Sequence, residues 1–216
     1  MSSYKRSFLE LALEADALQF GEFTLKSGRV SPYFFNASAF SSGRQLRILG
    51  QCYRDAIREH TVEFDGLFGP AYKGIPLASS VAVAFADQND DFPVSFNRKE
   101  AKDHGEGGTL LGAPLHGNIL AIDDVVTAGT AVRESVEFIA NQGATLCAFC
   151  VAVDRQERGR EGERSALAEL ADAFQLQAIS IVTLDDILAF AAEDPRVGSE
   201  IAPRIEAYRS QYGALN

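Results

Sequence analysis

The chain has 216 residues, 46% of them hydrophobic and 23% charged, and a formal net charge of −10. That size and composition describe one soluble globular domain, residues 1–216, able to bury a core without disulfide or metal staples. The acidic balance excludes a non-specific nucleic-acid binder, which needs a basic footprint, so an anionic substrate has to be met by positive charge gathered locally.

Tyr4–Leu18 carries Phe8, Leu11, Ala15 and Leu18 at spacings of three and four, which predicts an amphipathic helix. Glu10, Glu14 and Asp16 interrupt its apolar face, so Lys5 and Arg6 do not open a secretory signal. Glu22–Lys26 and Pro32–Asn36 read as two short strands of a hairpin around Ser27-Gly28-Arg29. Arg44–Glu59 is a second amphipathic helix.

From Asp65 onward strands and helices alternate. Asp65–Gly69 is strand-like, and the turn Pro70-Ala71-Tyr72-Lys73-Gly74 leads into an apolar helix through Ala86. Pro93–Asn97 is a strand, and the charged, glycine-rich Arg98–Gly117 reads as a loop. Asn118–Ile122 is an apolar strand, Ala131–Gln142 a helix closed by Gly143, and Thr145–Val153 a buried strand. Ser165–Phe174, Leu176–Thr183 and Leu184–Ala192 follow as helix, strand and helix, and Ser199–Tyr212 is helical and polar. This alternation predicts an α/β fold with a mostly parallel central sheet flanked by helices, whose ligands bind beyond the carboxyl ends of the strands.

The longest uncharged apolar runs, Leu77–Ala86 and Ala144–Val153, are half the ~20 residues of a membrane span. No membrane or nucleic-acid partner is expected, and the cytoplasm is the default location. Cys52, Cys147 and Cys150 are too few and too odd for a disulfide framework. Cys147 and Cys150 spell C-x-x-C, but on a strand residues three apart face opposite ways, so they are expected to be small core residues.

The strongest signal is Ile119-Leu120-Ala121-Ile122-Asp123-Asp124-Val125-Val126-Thr127-Ala128-Gly129-Thr130-Ala131. An apolar strand delivers two adjacent carboxylates, and a small-residue turn then opens a helix. Backbone amides of such a turn, with the helix N-terminus behind them, form a nest for a phosphate. The carboxylates accept hydrogen bonds from neutral hydroxyls beside it. A phosphate next to a diol is the profile of a ribose 5-phosphate. The acidic strand of a nucleotide hydrolase would need a G-x-x-x-x-G-K-[ST] partner, and Gly69-Pro70-Ala71-Tyr72-Lys73-Gly74 lacks the final two residues.

The whole segment resembles the signature of the type I phosphoribosyltransferases, and three further stretches resemble the orotate-specific branch. Asn97-Arg98-Lys99-Glu100-Ala101-Lys102-Asp103-His104-Gly105-Glu106-Gly107-Gly108 is similar to its catalytic loop. Phe23 to Asn36 is similar to its N-terminal hairpin, and Asp154-Arg155-Gln156-Glu157-Arg158-Gly159 closes the pocket. The resemblance implies a type I phosphoribosyltransferase fold with a small N-terminal hood, mainly residues 1–40, and a lid loop at 98–117. It implies transfer of ribose 5-phosphate from 5-phosphoribosyl 1-pyrophosphate (PRPP) to orotate, with Mg²⁺ carried by PRPP and at most a water-mediated contact to Asp124.

It also distributes roles. Lys102, Lys73, Asp123 and Asp124 are implied to be catalytic. PRPP is implied to meet Lys26, Tyr72, Lys73, Arg98, Lys99, Lys102 and His104, together with Asp123 through Ala131 (Asp124, Val125, Val126, Thr127, Ala128, Gly129, Thr130). Orotate is implied to meet Lys26, Phe34, Phe35, Thr127 and Arg155. Physically, Phe34 and Phe35 offer a ring face to a flat base, and an arginine at a strand end grips a carboxylate with two parallel hydrogen bonds. The resemblance further implies a homodimer in which each lid closes over the neighbouring subunit's site. A purine enzyme would keep the acidic strand but need another base pocket, and a ligand-sensing regulator on the same fold would carry an added binding domain or lack the lid cations.

Overall fold

A computed structural model of the chain describes residues 1–25, 28–102, 108–126, 129–159 and 162–214, with the side chains of 101, 102 and 108 outside that description. The first helix, α1 (Ser3–Glu14), stops before its apolar spacing does: Asp16 takes a left-handed conformation, φ 55°, that a right-handed helix does not continue. Leu18 therefore starts β1 (Leu18–Thr24), which pairs antiparallel with β2 (Val30–Phe35) in a separate two-stranded sheet. A reciprocal capping box of Ser42 and Gln45 opens α2 (Gly43–Glu59).

The main sheet is built from β3 (Gly66–Gly69), β4 (Val94–Lys102), β5 (Gly108–Gly112), β6 (Asn118–Val125), β7 (Thr145–Asp154) and β8 (Gln177–Thr183). Its order is β5-β4-β3-β6-β7-β8. All neighbours are parallel except β4–β5. Strands covered on both faces read as continuous apolar runs: every residue of β3 is buried, and so is Ile119 through Ile122 of β6. The connecting helices are α3 (Gly74–Ala86), α4 (Thr130–Asn141), α5 (Ala166–Phe174), α6 (Leu184–Glu193) and α7 (Ile201–Tyr212).

Two apolar clusters lie on the two faces. One joins Leu67, Leu120, Ile122 and Cys150 of the sheet to α1, α2, α3 and α6. The other joins Phe68, Ala121, Phe149 and Val151 to Val132 and Ile139 of α4 and to Leu167 and Leu170 of α5. This is the predicted layered α/β architecture. α1 packs on α2 and β8, while α7 lies against β2, so the last helix shares in the cap formed by the hairpin.

Two expectations are corrected. Residues 98–117 are not loop throughout: β4 continues to Lys102 and β5 returns antiparallel, with Asn97 opposite Leu110 and an irregular register between Asn97 and Lys102. The charges misled because β5 ends the sheet, and an edge hairpin tolerates them on its solvated side. Asp103 to Gly107 lie outside the described residues. The cysteine geometry also differs. The β6–β7 register slips between Ile119–Leu146 and Leu120–Ala148, so Cys147 is the extra residue of a bulge. The bulge breaks strict alternation, and Cys147 and Cys150 pack against the same apolar cluster, both as free thiols.

Candidate active site

After β3 the chain runs to β4 on one side and later reaches β6 on the other. That reversal between β3 and β6 is the topological switch point, where open α/β sheets hold ligands. Two loops leave the strand ends there. After β3, Pro70 to Lys73 precedes α3. The Ala71–Tyr72 peptide is cis, and the amide of Ala71 donates to Oδ1 of Asn97 at 2.7 Å, which ties the loop to β4. Tyr72 is 68% exposed and carries the Lys99 ammonium 5.2 Å from its ring centroid. Arg98, next along β4, has a buried Nη1 that meets no hydrogen-bond partner among the described residues, a donor placed for an anion.

Asp123 and Asp124 stand at the end of β6. Asp124 is 6% exposed, and its Oδ2 accepts from Lys73 Nζ at 2.6 Å, a bridge across the switch point. The Asp124 amide donates to Asp123 Oδ1 at 2.9 Å, and the Tyr53 hydroxyl donates to the Asp123 carbonyl at 2.7 Å. Burial pushes the Asp123 carboxyl up to about 7; the neighbouring Asp124 charge adds to the rise and Lys73 opposes it. From the ordinary 3.8 up to about 7 the folded chain keeps a proton that the unfolded chain has released. Stability from this group therefore falls as pH rises through that window and levels off above it. Melting temperatures of wild type and Asp123→Asn from pH 4 to 8 check this: the variant should gain on wild type as pH rises across the window, and parallel curves would remove the raised carboxyl from the account.

Past Val126 the chain reaches Gly129, φ 74°, the N-terminal flank of α4. A Cβ there would meet the end of the Leu170 side chain at 2.7 Å, and the left-handed conformation is what favours glycine. Gly129 is buried and Thr130 exposed at the helix start. Thr127 and Ala128 lie outside the described residues, as do Lys26 and His104. The backbone of Lys102 belongs to β4, and its side chain is outside the description.

The same strand ends carry the predicted base side. Val125 is in register with Val153, and Arg155 follows two residues later. Its guanidinium lies 4.5 Å from the Tyr33 ring centroid and donates through Nη2 to Ser31 Oγ at 3.3 Å and through Nε to Glu157 Oε1 at 2.7 Å. Burial works against its charge, but Tyr33 and Glu157 outweigh that and raise its pKa. Burial also raises Asp154, with Glu157 adding to it, and holds the Tyr33 hydroxyl above its ordinary range.

The Phe pair divides. Phe34 is 38% exposed and stacks on Phe23 at 5.6 Å, whereas Phe35 is 7% exposed and packs on Phe8 and Phe40. Successive strand residues face opposite sides, so Phe34 presents the exposed ring of the pair and the Phe35 ring belongs to the core. Asn97, Tyr53, Ser31, Tyr33 and Glu157 were not singled out from the sequence. Asn97, Ser31, Tyr33 and Glu157 lie within the motif stretches, while Tyr53 reads only as a helix-face apolar residue and joins the site by folding.

A family model described as the phosphoribosyl transferase domain matches residues 46–168. The orotate phosphoribosyltransferase of Cronobacter sakazakii is 55% identical over 214 residues, covering 99% of this chain and all of the relative. That of Shigella flexneri is 54% identical with the same coverage. The crystal structure of the Francisella tularensis orotate phosphoribosyltransferase superposes with a TM-score of 0.86 at 38% identity, covering 96% of this chain and 99% of that one.

Proposed function

This chain belongs to the orotate phosphoribosyltransferase family, which transfers ribose 5-phosphate from PRPP to orotate to give orotidine 5'-monophosphate and pyrophosphate in pyrimidine biosynthesis, and we propose that its reaction runs in the crevice between β3 and β6. The observation that carries this placement is the Lys73–Asp124 bridge across the switch point, beside the glycine-opened start of α4.

The 5-phosphate sits on the amides from Val125 to Ala131, including Thr127, Ala128 and Thr130. Asp123 and Asp124 accept from the ribose hydroxyls. Lys73 exchanges its carboxylate for the pyrophosphate, with Tyr72, Arg98, Lys99, Lys102 and His104 adding donors and charge. Lys26 and Phe34 face the base, Thr127 touches its edge, and Arg155 grips its carboxylate. The ring nitrogen of orotate forms the new bond to the anomeric carbon as the bond to pyrophosphate breaks, and the sugar is oxocarbenium-like between. The leaving group gathers negative charge, so the cations around it stabilise the transition state more than the ground state.

Mg²⁺ fits this donor set. Among the described residues no three His, Cys, Asp or Glu gather into a metal cage, and Mg²⁺ in such enzymes is held by one or two carboxylates plus substrate phosphates. Asp124, through water, would be the protein's contribution to holding the ion, which would supply charge neutralisation on the pyrophosphate. Lid closure over the neighbouring subunit of a homodimer excludes water from the cation-like sugar. No helix among the described residues is long and apolar enough to cross a membrane, and we place the enzyme in the cytoplasm.

The test is orotate consumption, followed by ultraviolet absorbance with PRPP and Mg²⁺, for wild type and Lys102→Ala. The wild type should consume orotate and leave hypoxanthine, guanine and uracil untouched. Lys102→Ala should be slowed roughly tenfold or more. Equal turnover by both would remove Lys102 from the lid assignment, and untouched orotate with folded wild type would overturn the base.

A further inference from the structure

The last helix does more than cover the hairpin. Tyr208 of α7 donates its hydroxyl to Glu157 Oε1 at 2.8 Å. The same oxygen holds Arg155, through Nε at 2.7 Å and Nη2 at 2.6 Å, and Oε2 takes Arg29 Nη1 at 3.2 Å. The carboxylate is thus shared by two guanidiniums and a phenol, and only 16% of its side chain is exposed. Arg155 is held on its face by Tyr33, along its edge by Glu157 and at its end by Ser31. Among the described residues its Nη1 meets no acceptor, so one end of the fork is left for a ligand.

The end of α7 is stitched to the same loop. Glu157 bridges Gly213, the Arg158 amide donates to the Tyr212 carbonyl at 2.9 Å, and the Ala214 amide donates to the Gln156 carbonyl at 2.7 Å. Tyr208 packs edge-on against Tyr33, and Tyr212 lies under Arg29 at 5.0 Å.

We infer that Glu157 and Tyr208 are positioning residues that aim Arg155 at the orotate carboxylate, making the C-terminal helix part of base selection. The inference rests on the reading that Arg155 takes that carboxylate. A side chain held in advance loses less freedom on binding, which appears in affinity for the ligand it meets and not for the other substrate.

The experiment measures KM for orotate and for PRPP, kcat and Tm for wild type, Arg155→Ala, Glu157→Ala, Tyr208→Phe and the Arg155→Ala/Glu157→Ala pair. Glu157→Ala should raise the orotate KM roughly tenfold, the size typical when an outer partner of a ligating group is removed. Tyr208→Phe keeps the ring packing and should raise it about threefold, the worth of one hydrogen bond. The PRPP KM should stay within about twofold in both, and in the Arg155→Ala background Glu157→Ala should add nothing, because it acts through that arginine. If Arg155→Ala raises the orotate KM but Glu157→Ala and Tyr208→Phe do not, positioning is overturned and the base site stands. Equal rises in both KM values with a lowered Tm mean a structural role only. An unchanged orotate KM in Arg155→Ala overturns the base-site reading itself, and this inference with it.

Discussion

Asp124→Asn should lower kcat/KM by roughly 10²-fold or more while Tm moves by only a few degrees. Asp124 is the most enclosed charged group at the strand ends, 6% exposed, and its partner Lys73 has half of its side chain in solvent. The substitution keeps the shape and an oxygen for the Lys73 ammonium. It leaves no uncompensated buried charge, because Lys73 reaches water, and an ion pair with a half-exposed partner contributes little to folding. In the proposed placement, what is lost is the full negative charge toward the ribose hydroxyls and the developing positive charge of the sugar, a contribution made in the transition state. Steady-state orotate depletion and a thermal melt on the same protein separate the two effects. A change in kcat/KM of less than about threefold in a protein of normal Tm would remove Asp124 from the catalytic set.

The second large effect is Gly74→Ala, which should cost about 3 kcal/mol of stability, lower Tm by roughly 6–12 °C and take most of the activity with it. Gly74 is the first residue of α3, where alanine would ordinarily help by about 1 kcal/mol. Here a Cβ would sit 2.5 Å from Pro70 Cδ, 2.8 Å from the Ile122 carbonyl oxygen and 2.9 Å from the Gly69 carbonyl carbon. Those neighbours are backbone and a proline ring, so no rotamer change relieves them. The loop would have to lift from β6, and Lys73, one residue earlier, would move away from Asp124. Differential scanning calorimetry and the orotate assay are the measurements. Wild-type Tm in the variant would mean that the loop stands off β6 more than these contacts allow.

Much of the site was legible in the sequence because its parts are local. The strand–carboxylate–turn–helix run from Ile119 to Ala131 is one continuous segment, and its apolar run, paired aspartates and small residues each report a requirement met within a few residues. The same holds for the alternation of elements, whose periodicity follows from which face each one buries. So the parallel sheet came from sequence, as did the proposed strand-end site and its chemistry of a phosphate beside a diol, and the resemblance it carried supplied the orotate branch.

What sequence could not supply depends on partners distant along the chain. Phe34 and Phe35 are neighbours of one type, and only the packing of Phe8 and Phe40 decided which ring is core. The bulge at Cys147 exists in the register between two strands and has no signature in one of them. The charges of Arg98 to Lys102 concealed a strand, because an edge hairpin is stabilised by its partner and not by its own apolar pattern. Tyr208 stands 51 residues from Glu157 in a helix without a motif. Its part in the Arg155 cluster is set where α7 comes to rest, since a hydrogen bond between distant residues is specified by the whole packed core and not by the residues on either side of it.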